Sequence, residues 1–296
     1  MSTALVERPR ARVGGPLRAG AKRSLRLYGE LTSGLRGLPD FMIVGAKRGG
    51  TTSLYNYLLE HPGVLPLFPA RQHIKGAHFL DSNFHRGTRW YRSHFPTAAY
   101  RRLRGRGGPV AVGEASPYYL FHPLAAERAA SLVPDTKVIV LLRDPVERAF
   151  SHYKERVRHG AEPLSFEAAL EREPERLAGE AERIVREPGY SSFAHEHHSY
   201  VAQGRYLDML PAWLEHFERE RILIMPSEDL YANPQATVDR VTAFLGLPGW
   251  RLRSRTRHNY HPAADMRLET RQHLRALFAP HDRDLADLLG MRLDWA

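Results

Sequence analysis

Cysteine is absent from the 296-residue chain, which excludes disulfide bridges, thiolate catalysis and cysteine-ligated zinc. No apolar run approaches the length that is needed to cross a bilayer. The first residues also lack an apolar stretch followed by a small-residue cleavage site, so the sequence offers no secretory signal. From these absences we predict a cytoplasmic protein.

Acidic residues are in deficit: 33 Asp and Glu stand against 43 Lys and Arg, which gives a formal net charge of +10. This balance favours anionic partners such as nucleotides, nucleic acids and sulfated or phosphorylated substrates, although a general abundance of arginine explains it equally well. A nucleic-acid-binding module would combine clustered cations with exposed aromatic residues or a reading helix. Here the cations are scattered, so we predict no nucleic-acid partner.

Residues 1–38 are rich in Arg, Gly and Ala and have no strong core pattern, so we predict a basic, flexible extension there. The apolar residues between Leu17 and Leu38 also allow a weak amphipathic helix with basic flanks, which leaves peripheral contact with a membrane open. Residues 39–296 are predicted to form one domain. Hydrophobic residues make up 43% of the chain, enough for a sizeable core.

Short apolar runs alternate with helical patterns along this domain. We predict strands at Phe41–Val44, Pro109–Val112, Lys137–Leu142 and Arg221–Met225. Helices are predicted at Thr52–Glu60, Val146–His159, Tyr206–Phe217, Pro234–Leu245 and Leu268–Leu289. Such alternation predicts an α/β fold, with a central, mainly parallel sheet flanked by helices on both faces.

The segment between the first strand and the first helix has the composition of an anion-binding loop. Glycines let several N–H groups turn inward, the start of the helix adds a positive dipole, and a lysine adds a full charge. We predict that this loop binds phosphate through Lys47, Arg48, Gly49, Gly50, Thr51, Thr52 and Ser53. Thr51 rather than lysine follows Gly50, so the pattern of a nucleoside-triphosphate loop is absent and a P-loop kinase is only the alternative.

Two blocks of the sequence resemble sulfotransferases that use 3′-phosphoadenosine 5′-phosphosulfate (PAPS), notably the heparan-sulfate-type and related bacterial enzymes. The run from Phe41 to Tyr55 is similar to the 5′-phosphosulfate loop of that family, and the run from Val138 to Tyr153 is similar to its 3′-phosphate motif. The resemblance implies a P-loop-like three-layer fold and PAPS as sulfuryl donor, with a carbohydrate, glycolipid or small metabolite as acceptor. We expect no metal requirement, because the cations of the loop can neutralise the phosphate charge.

The second block places an arginine at the end of an apolar strand, where a guanidinium can grip a phosphate. Taken alone, this arginine is better explained by an ordinary capped turn with Asp144 as N-cap. Because an anion loop precedes it, we predict that Arg143 and Ser151 hold the 3′-phosphate. Arg257, in a basic run before the last helix, is a further candidate for this group.

Sulfuryl transfer requires in-line positioning, stabilisation of charge on the leaving phosphate and deprotonation of the acceptor. We predict that Lys47 stabilises the leaving 5′-phosphate, with Thr51 and Thr52 as further donors. In the heparan-type enzymes a glutamate acts as general base, and Gly76 stands at its position in this chain. Glycine has no side chain that can take a proton, so the base must lie elsewhere.

His78 is the first candidate base, because imidazole titrates near neutral pH and Asp81 could orient it. A packed or surface histidine is an equally good description of this residue. Glu114 is the second candidate, with a structural carboxylate as its alternative. The lysine that often follows this glutamate in the family is replaced by Ala115, which leaves open a nucleotide-binding relative without catalysis. Nothing in the sequence indicates the oligomeric state.

Overall fold

The computed structural model describes residues 15–70, 74–253 and 266–295, with side chains from residue 23 onward. Within these residues five strands form one sheet: β1 (Phe41–Gly45), β2 (Val64–Leu65), β3 (Ala111–Ala115), β4 (Lys137–Leu142) and β5 (Ile222–Pro226). Their order across the sheet is β2-β3-β1-β4-β5, and every neighbouring pair runs parallel. The predicted α/β fold with a parallel central sheet is confirmed.

Helices cover both faces of this sheet. In chain order they are α1 (Gly15–Leu31), α2 (Thr51–Leu59), α3 (Gly87–Arg92), α4 (Ala98–Arg104), α5 (Ala125–Leu132), α6 (Pro145–Arg158), α7 (Phe166–Leu177), α8 (Glu180–Arg186), α9 (Phe193–His197), α10 (Leu210–His216), α11 (Ser227–Ala232), α12 (Pro234–Leu245) and α13 (Leu268–Leu289). Within the described part of the chain, every helix is too short or too polar to span a bilayer.

Alternation along the central strands divides the core into two layers. Met42 and Val44 of β1 pack into one buried cluster, whereas Phe41 and Ile43 pack into the cluster on the opposite face. Successive side chains of a strand point to opposite faces, so a strand buried on both faces is apolar at every position. Each such side chain contributes roughly 1.5–3 kcal/mol to the free energy of folding.

Some boundaries of strands and helices differ from those predicted from hydrophobic periodicity. β3 begins two residues later than predicted and continues to Ala115. The sequence does not predict this end, because Glu114 is buried, and a carboxylate is buried only where partners satisfy it. β2 has two residues, too few for any periodic pattern. α10 begins at Leu210 rather than at Tyr206, and Pro211 occupies its first turn.

Part of the predicted N-terminal extension packs against the domain. α1 lies within it, and Ser33 and Arg36 are buried just after this helix. The Arg36 guanidinium donates to the Phe95 carbonyl at 2.5 Å and lies 4.2 Å from the centre of the Phe68 ring. The extension is therefore helical and packed over part of its length, and the domain boundary at residue 38 stays a prediction.

Candidate active site

The loop between β1 and α2 is held over the carboxyl ends of the strands. The Ala46 N–H donates to the Leu141 carbonyl of β4 at 2.7 Å, and the Ser227 hydroxyl donates to the Gly49 carbonyl at 2.6 Å. Gly50 precedes α2 with a φ of 84°, a left-handed conformation that side chains disfavour. This conformation lets the chain turn directly from the loop into α2, so the positive end of the helix lies beside the loop, as an anion site requires.

Lys47 projects from this loop into a buried polar cluster. Its ammonium donates to the Glu196 carbonyl at 2.8 Å and to His197 Nδ1 at 3.2 Å, and it lies 3.5 Å from the Glu196 carboxylate. Burial lowers the pKa of Lys47 to about 8, although the charge of Glu196 opposes this shift. His197 Nδ1 also accepts from the Arg156 guanidinium at 2.9 Å, so this nitrogen carries no proton.

Thr52 faces a second lysine, to which the sequence analysis assigned no role. Lys75 Nζ donates to Thr52 Oγ1 at 3.0 Å, and burial lowers the pKa of Lys75 to about 8. Thr51 and Ser53, the other hydroxyl residues of the loop, are buried. The only indication of Lys75 in the sequence is its place in the same short block as His78.

The two predicted phosphate motifs meet at Arg48. Arg143 Nη1 donates to the Arg48 carbonyl at 3.1 Å, and Arg48 Nε donates to the Ser151 hydroxyl at the same distance. Arg48 Nη1 also forms an ion pair with Glu155 at 3.1 Å, and burial lowers the pKa of Arg48. The structure therefore brings the predicted 3′-phosphate residues into direct contact with the predicted 5′-phosphate loop.

His78 and Asp81 form a hydrogen-bonded pair, with His78 Nδ1 2.9 Å from Asp81 Oδ2. The Asp81 side chain is fully buried, whereas 39% of the His78 side chain is exposed. Burial of His78 opposes its charging, but the hydrogen bond and charge of Asp81 outweigh burial and raise the pKa of His78. With Nδ1 engaged by Asp81, Nε2 is the nitrogen left to exchange a proton. The φ of His78 is 48°, a strained conformation of the kind that occurs at functional sites.

Glu114, the second candidate base, is buried and its carboxylate accepts four hydrogen bonds. Oε2 accepts from the Ala77 N–H at 2.7 Å and from the Ser116 hydroxyl at 2.9 Å. Oε1 accepts from the Tyr91 hydroxyl at 2.5 Å and from the Tyr119 hydroxyl at 3.1 Å. A carboxylate has about four acceptor sites. Glu114 therefore joins the segment around Ala77, α3 and the turn that follows β3, and it has no acceptor site left for a substrate proton.

Gly76, at the position of the glutamate base in the heparan-type pattern, packs against the end of β3. A Cβ at this position would lie 2.3 Å from the Ser116 hydroxyl oxygen and 2.5 Å from the Ala115 carbonyl oxygen. The neighbouring Ala115 N–H donates to the Lys75 carbonyl at 2.6 Å, so the two backbones cannot easily separate. This backbone therefore leaves no room for a side chain at residue 76.

Arg257 lies outside the described residues. Apart from Glu114, the remaining predicted site residues lie in two adjoining regions, which we name after their predicted roles. The donor side comprises Lys47, Arg48, Gly49, Gly50, Thr51, Thr52, Ser53, Arg143 and Ser151. The acceptor side comprises His78 and Asp81. The charge of Glu196, which pairs with Lys47, also raises the pKa of His78, so the two regions share an electrostatic environment.

Comparison with known proteins points to one family. Residues 38–261 match the family model described as "Sulfotransferase domain". A solved sulfotransferase from Alicyclobacillus acidocaldarius is 30% identical, with a TM-score of 0.65 over 87% of this chain and 98% of that one. Mouse heparan sulfate glucosamine 3-O-sulfotransferase 3B1 is 33% identical over 73% of this chain. Human bifunctional heparan sulfate N-deacetylase/N-sulfotransferase 3 is 30% identical over 71%.

The chain spans 48% of the mouse relative and 22% of the human one.

These relatives also overturn one prediction. Heparan sulfate sulfotransferases are Golgi membrane enzymes, so the cytoplasmic location predicted from absent sequence features is wrong by this comparison. The composition of the first residues is too weak an observation to fix a location.

Proposed function

Since the chain belongs to the sulfotransferase domain family, we propose that it moves a sulfuryl group from PAPS to an acceptor hydroxyl or amine. The observation that carries this proposal is the contact between the two phosphate motifs, in which Arg143 donates to the backbone of Arg48. A nucleotide with phosphates at both its 5′ and 3′ positions matches two adjacent cationic groups, whereas a nucleotide with one phosphate uses only one of them.

The side chains of the donor side fit such an anion. Lys47 and Lys75 are partly buried cations beside the N-terminus of α2, and Arg48, Arg143 and Ser151 form the neighbouring group. PAPS supplies the activated sulfuryl group. Lys47 stabilises negative charge on the leaving 5′-phosphate, after it exchanges its contacts with Glu196 and His197 for contacts with the phosphate.

On the acceptor side, His78 Nε2 takes the proton of the attacking group while Asp81 holds the ring by Nδ1. The acceptor oxygen or nitrogen then forms its bond to sulfur as the bond from sulfur to the phosphate oxygen breaks, and the electron pair leaves with the nucleotide. Glu114 supports this region through its four hydrogen bonds and takes no part in proton transfer. In this arrangement His78 replaces the base that Gly76 cannot provide.

The acceptor class follows from the relatives by analogy. The names of the curated relatives refer to heparan sulfate and to glucosamine, which are carbohydrates. We propose a carbohydrate acceptor on this basis, with glycolipids and small metabolites as the other classes to be screened. Incubation with ³⁵S-labelled PAPS and a panel of these acceptors, followed by mass spectrometry of labelled products, identifies the class.

Isothermal titration tests the nucleotide site without any acceptor. We expect adenosine 3′,5′-bisphosphate to bind about 100-fold more tightly than AMP, because two charge-assisted hydrogen bonds contribute about 1.5 kcal/mol each. Arg143→Gln should remove most of this preference. Arg240→Gln, which changes an exposed arginine of α12, is the matched control and should leave it unchanged. Equal affinity of the wild-type protein for both nucleotides contradicts the proposal.

A further inference from the structure

Exposed apolar side chains are concentrated in two short segments of the described chain. Of the fourteen large hydrophobic residues that are exposed in the described part of the chain, five lie between residues 25 and 35 and two more on α4. Scattered single residues of this kind are normal, but a cluster on a surface indicates a partner.

The cluster has a regular geometry on α1. Leu27 and Leu31 are one helical turn apart on the same side, and they are 58% and 72% exposed. Leu35, in the short turn that follows, is 66% exposed. The opposite side of the segment holds it to the domain, because Gly29 packs against Ser93 and is buried.

α4 adds arginines to the same region. The backbone of Arg36 forms an antiparallel bridge with Thr97, the N-cap of α4, so this helix begins beside the end of the α1 segment. Tyr100 and Leu103 are exposed on α4. The arginines at 23, 26, 102, 104 and 106 are also exposed, and Glu30 is the one acidic residue within 23–38 and 98–108.

We name this surface the amino-edge face, defined by Leu27, Leu31, Leu35, Tyr100, Leu103, Arg102, Arg104 and Arg106. The α1 segment leads into the amino end of β1, and α4 leads into the amino end of β3, its neighbour in the sheet. The nucleotide loop follows the carboxyl end of β1, as Arg143 follows that of β4. In a parallel sheet these ends lie on opposite sides, so the segments that carry the amino-edge face enter the sheet at the end opposite to the nucleotide loop.

We propose that the amino-edge face binds the surface of an anionic lipid bilayer. Leucines at one side of a helix enter the boundary between headgroups and acyl chains, and the flanking arginines pair with anionic headgroups. The near absence of acidic residues favours this partner over a protein surface with mixed charges.

Co-sedimentation of the full chain with vesicles tests the proposal. We expect binding to vesicles of 70% phosphatidylcholine and 30% phosphatidylglycerol, and little binding to phosphatidylcholine alone. Arg102→Gln/Arg104→Gln/Arg106→Gln should weaken binding on the order of 100-fold, since each cation near an anionic surface contributes about 1 kcal/mol. Leu27→Gln/Leu31→Gln should weaken binding about 10-fold per leucine, and glutamine keeps the helix intact.

Two control variants match these changes elsewhere on the surface. Leu268→Gln removes an equally exposed leucine, and Arg240→Gln/Arg251→Gln/Arg283→Gln removes three exposed arginines. Neither should change vesicle binding. Equal effects of test and control variants, or equal binding to neutral vesicles, overturn the proposal. Dimerisation without vesicles that Leu27→Gln/Leu31→Gln abolishes would assign the face to a second copy and would also overturn it.

Discussion

The donor and acceptor sides of the site lie next to each other but are assembled in different ways. On the donor side, Gly45–Ser53 is one continuous run between a strand and a helix, and its backbone fixes the positions of Lys47 and Thr52. On the acceptor side, His78 depends on Asp81 and on β3, and the whole region is held together by the buried carboxylate of Glu114. A loop that is continuous in sequence tolerates substitutions in the segments around it. A region assembled from distant segments is disturbed when any one of those segments changes.

This difference separates the kinds of variant that inform on each side. A change in the donor loop should alter binding and turnover while the fold stays intact. A change beneath the acceptor side should alter both stability and turnover, because the same carboxylate satisfies four donors from three segments. Substitution of a partly exposed side chain such as that of His78 is therefore the cleaner test of the acceptor side.

The largest effect is expected at Lys47. Replacement by alanine removes the cation that faces the leaving phosphate, and we expect kcat/KM to fall about 1,000-fold. The melting temperature should change little, because the lysine is held by a loop whose backbone bonds remain. Steady-state assays with PAPS and a responsive acceptor measure the effect. Lys154→Ala, a lysine of α6 that lies 4.6 Å from the Phe150 ring, is the control. Near-normal turnover of Lys47→Ala would remove this residue from the mechanism.

The contrast between the two sides also explains what the sequence could predict. The donor loop can be predicted residue by residue because its residues lie in one run between a strand and a helix. The pairing of Lys47 with Glu196 was missed, because 149 positions separate the two residues and no local pattern joins them. The engagement of Glu114 was equally hidden, since Tyr91 and Ala77 approach it from other segments. Strands buried on both faces were predictable, whereas β2, with two residues, has no periodicity to detect.

His78 should give the next largest effect. We expect His78→Gln to lower kcat about 100-fold, as loss of a general base does. A base must be unprotonated, so the rate of the wild-type enzyme should rise with pH through the raised pKa of His78. Asp81→Asn removes the charge that raises this pKa, which leaves burial to lower it, and the rising limb should move to lower pH.

A pH–rate profile distinguishes this role from simple packing. His85→Gln, a change to an exposed histidine beyond the pair, should leave both the rate and the position of the limb unchanged. If Asp81→Asn lowers activity without moving the limb, Asp81 is structural and the proton goes to another group.

A substitution at Gly76 tests the acceptor side through the free energy of unfolding. Gly76→Glu restores the residue of the heparan-type pattern, but its side chain would meet Ser116 and the Ala115 backbone. We expect it to lower the free energy of unfolding by about 1–3 kcal/mol and to give no gain in kcat. Urea denaturation measures the first quantity. Gly107→Glu places the same side chain in open space and is the matched control. Normal stability with raised kcat would show that the acceptor side can accept its base at residue 76.

The smallest effect concerns protons on the donor side. Burial lowers the pKa of Lys47 and of Lys75 to about 8, so both are mostly uncharged in the free protein at pH 9 and mostly charged at pH 7. A bound phosphate favours the charged form of both lysines. Binding of adenosine 3′,5′-bisphosphate at pH 9 should therefore take up between one and two protons, and affinity should fall as pH rises above 8.

Titration calorimetry in buffers of different ionisation enthalpy counts these protons, and Lys47→Met should reduce the count by about one. Because the phosphates of the nucleotide are fully ionised at pH 9, an uptake near zero would mean that neither lysine faces a phosphate, and the donor side would then rest on its arginines alone.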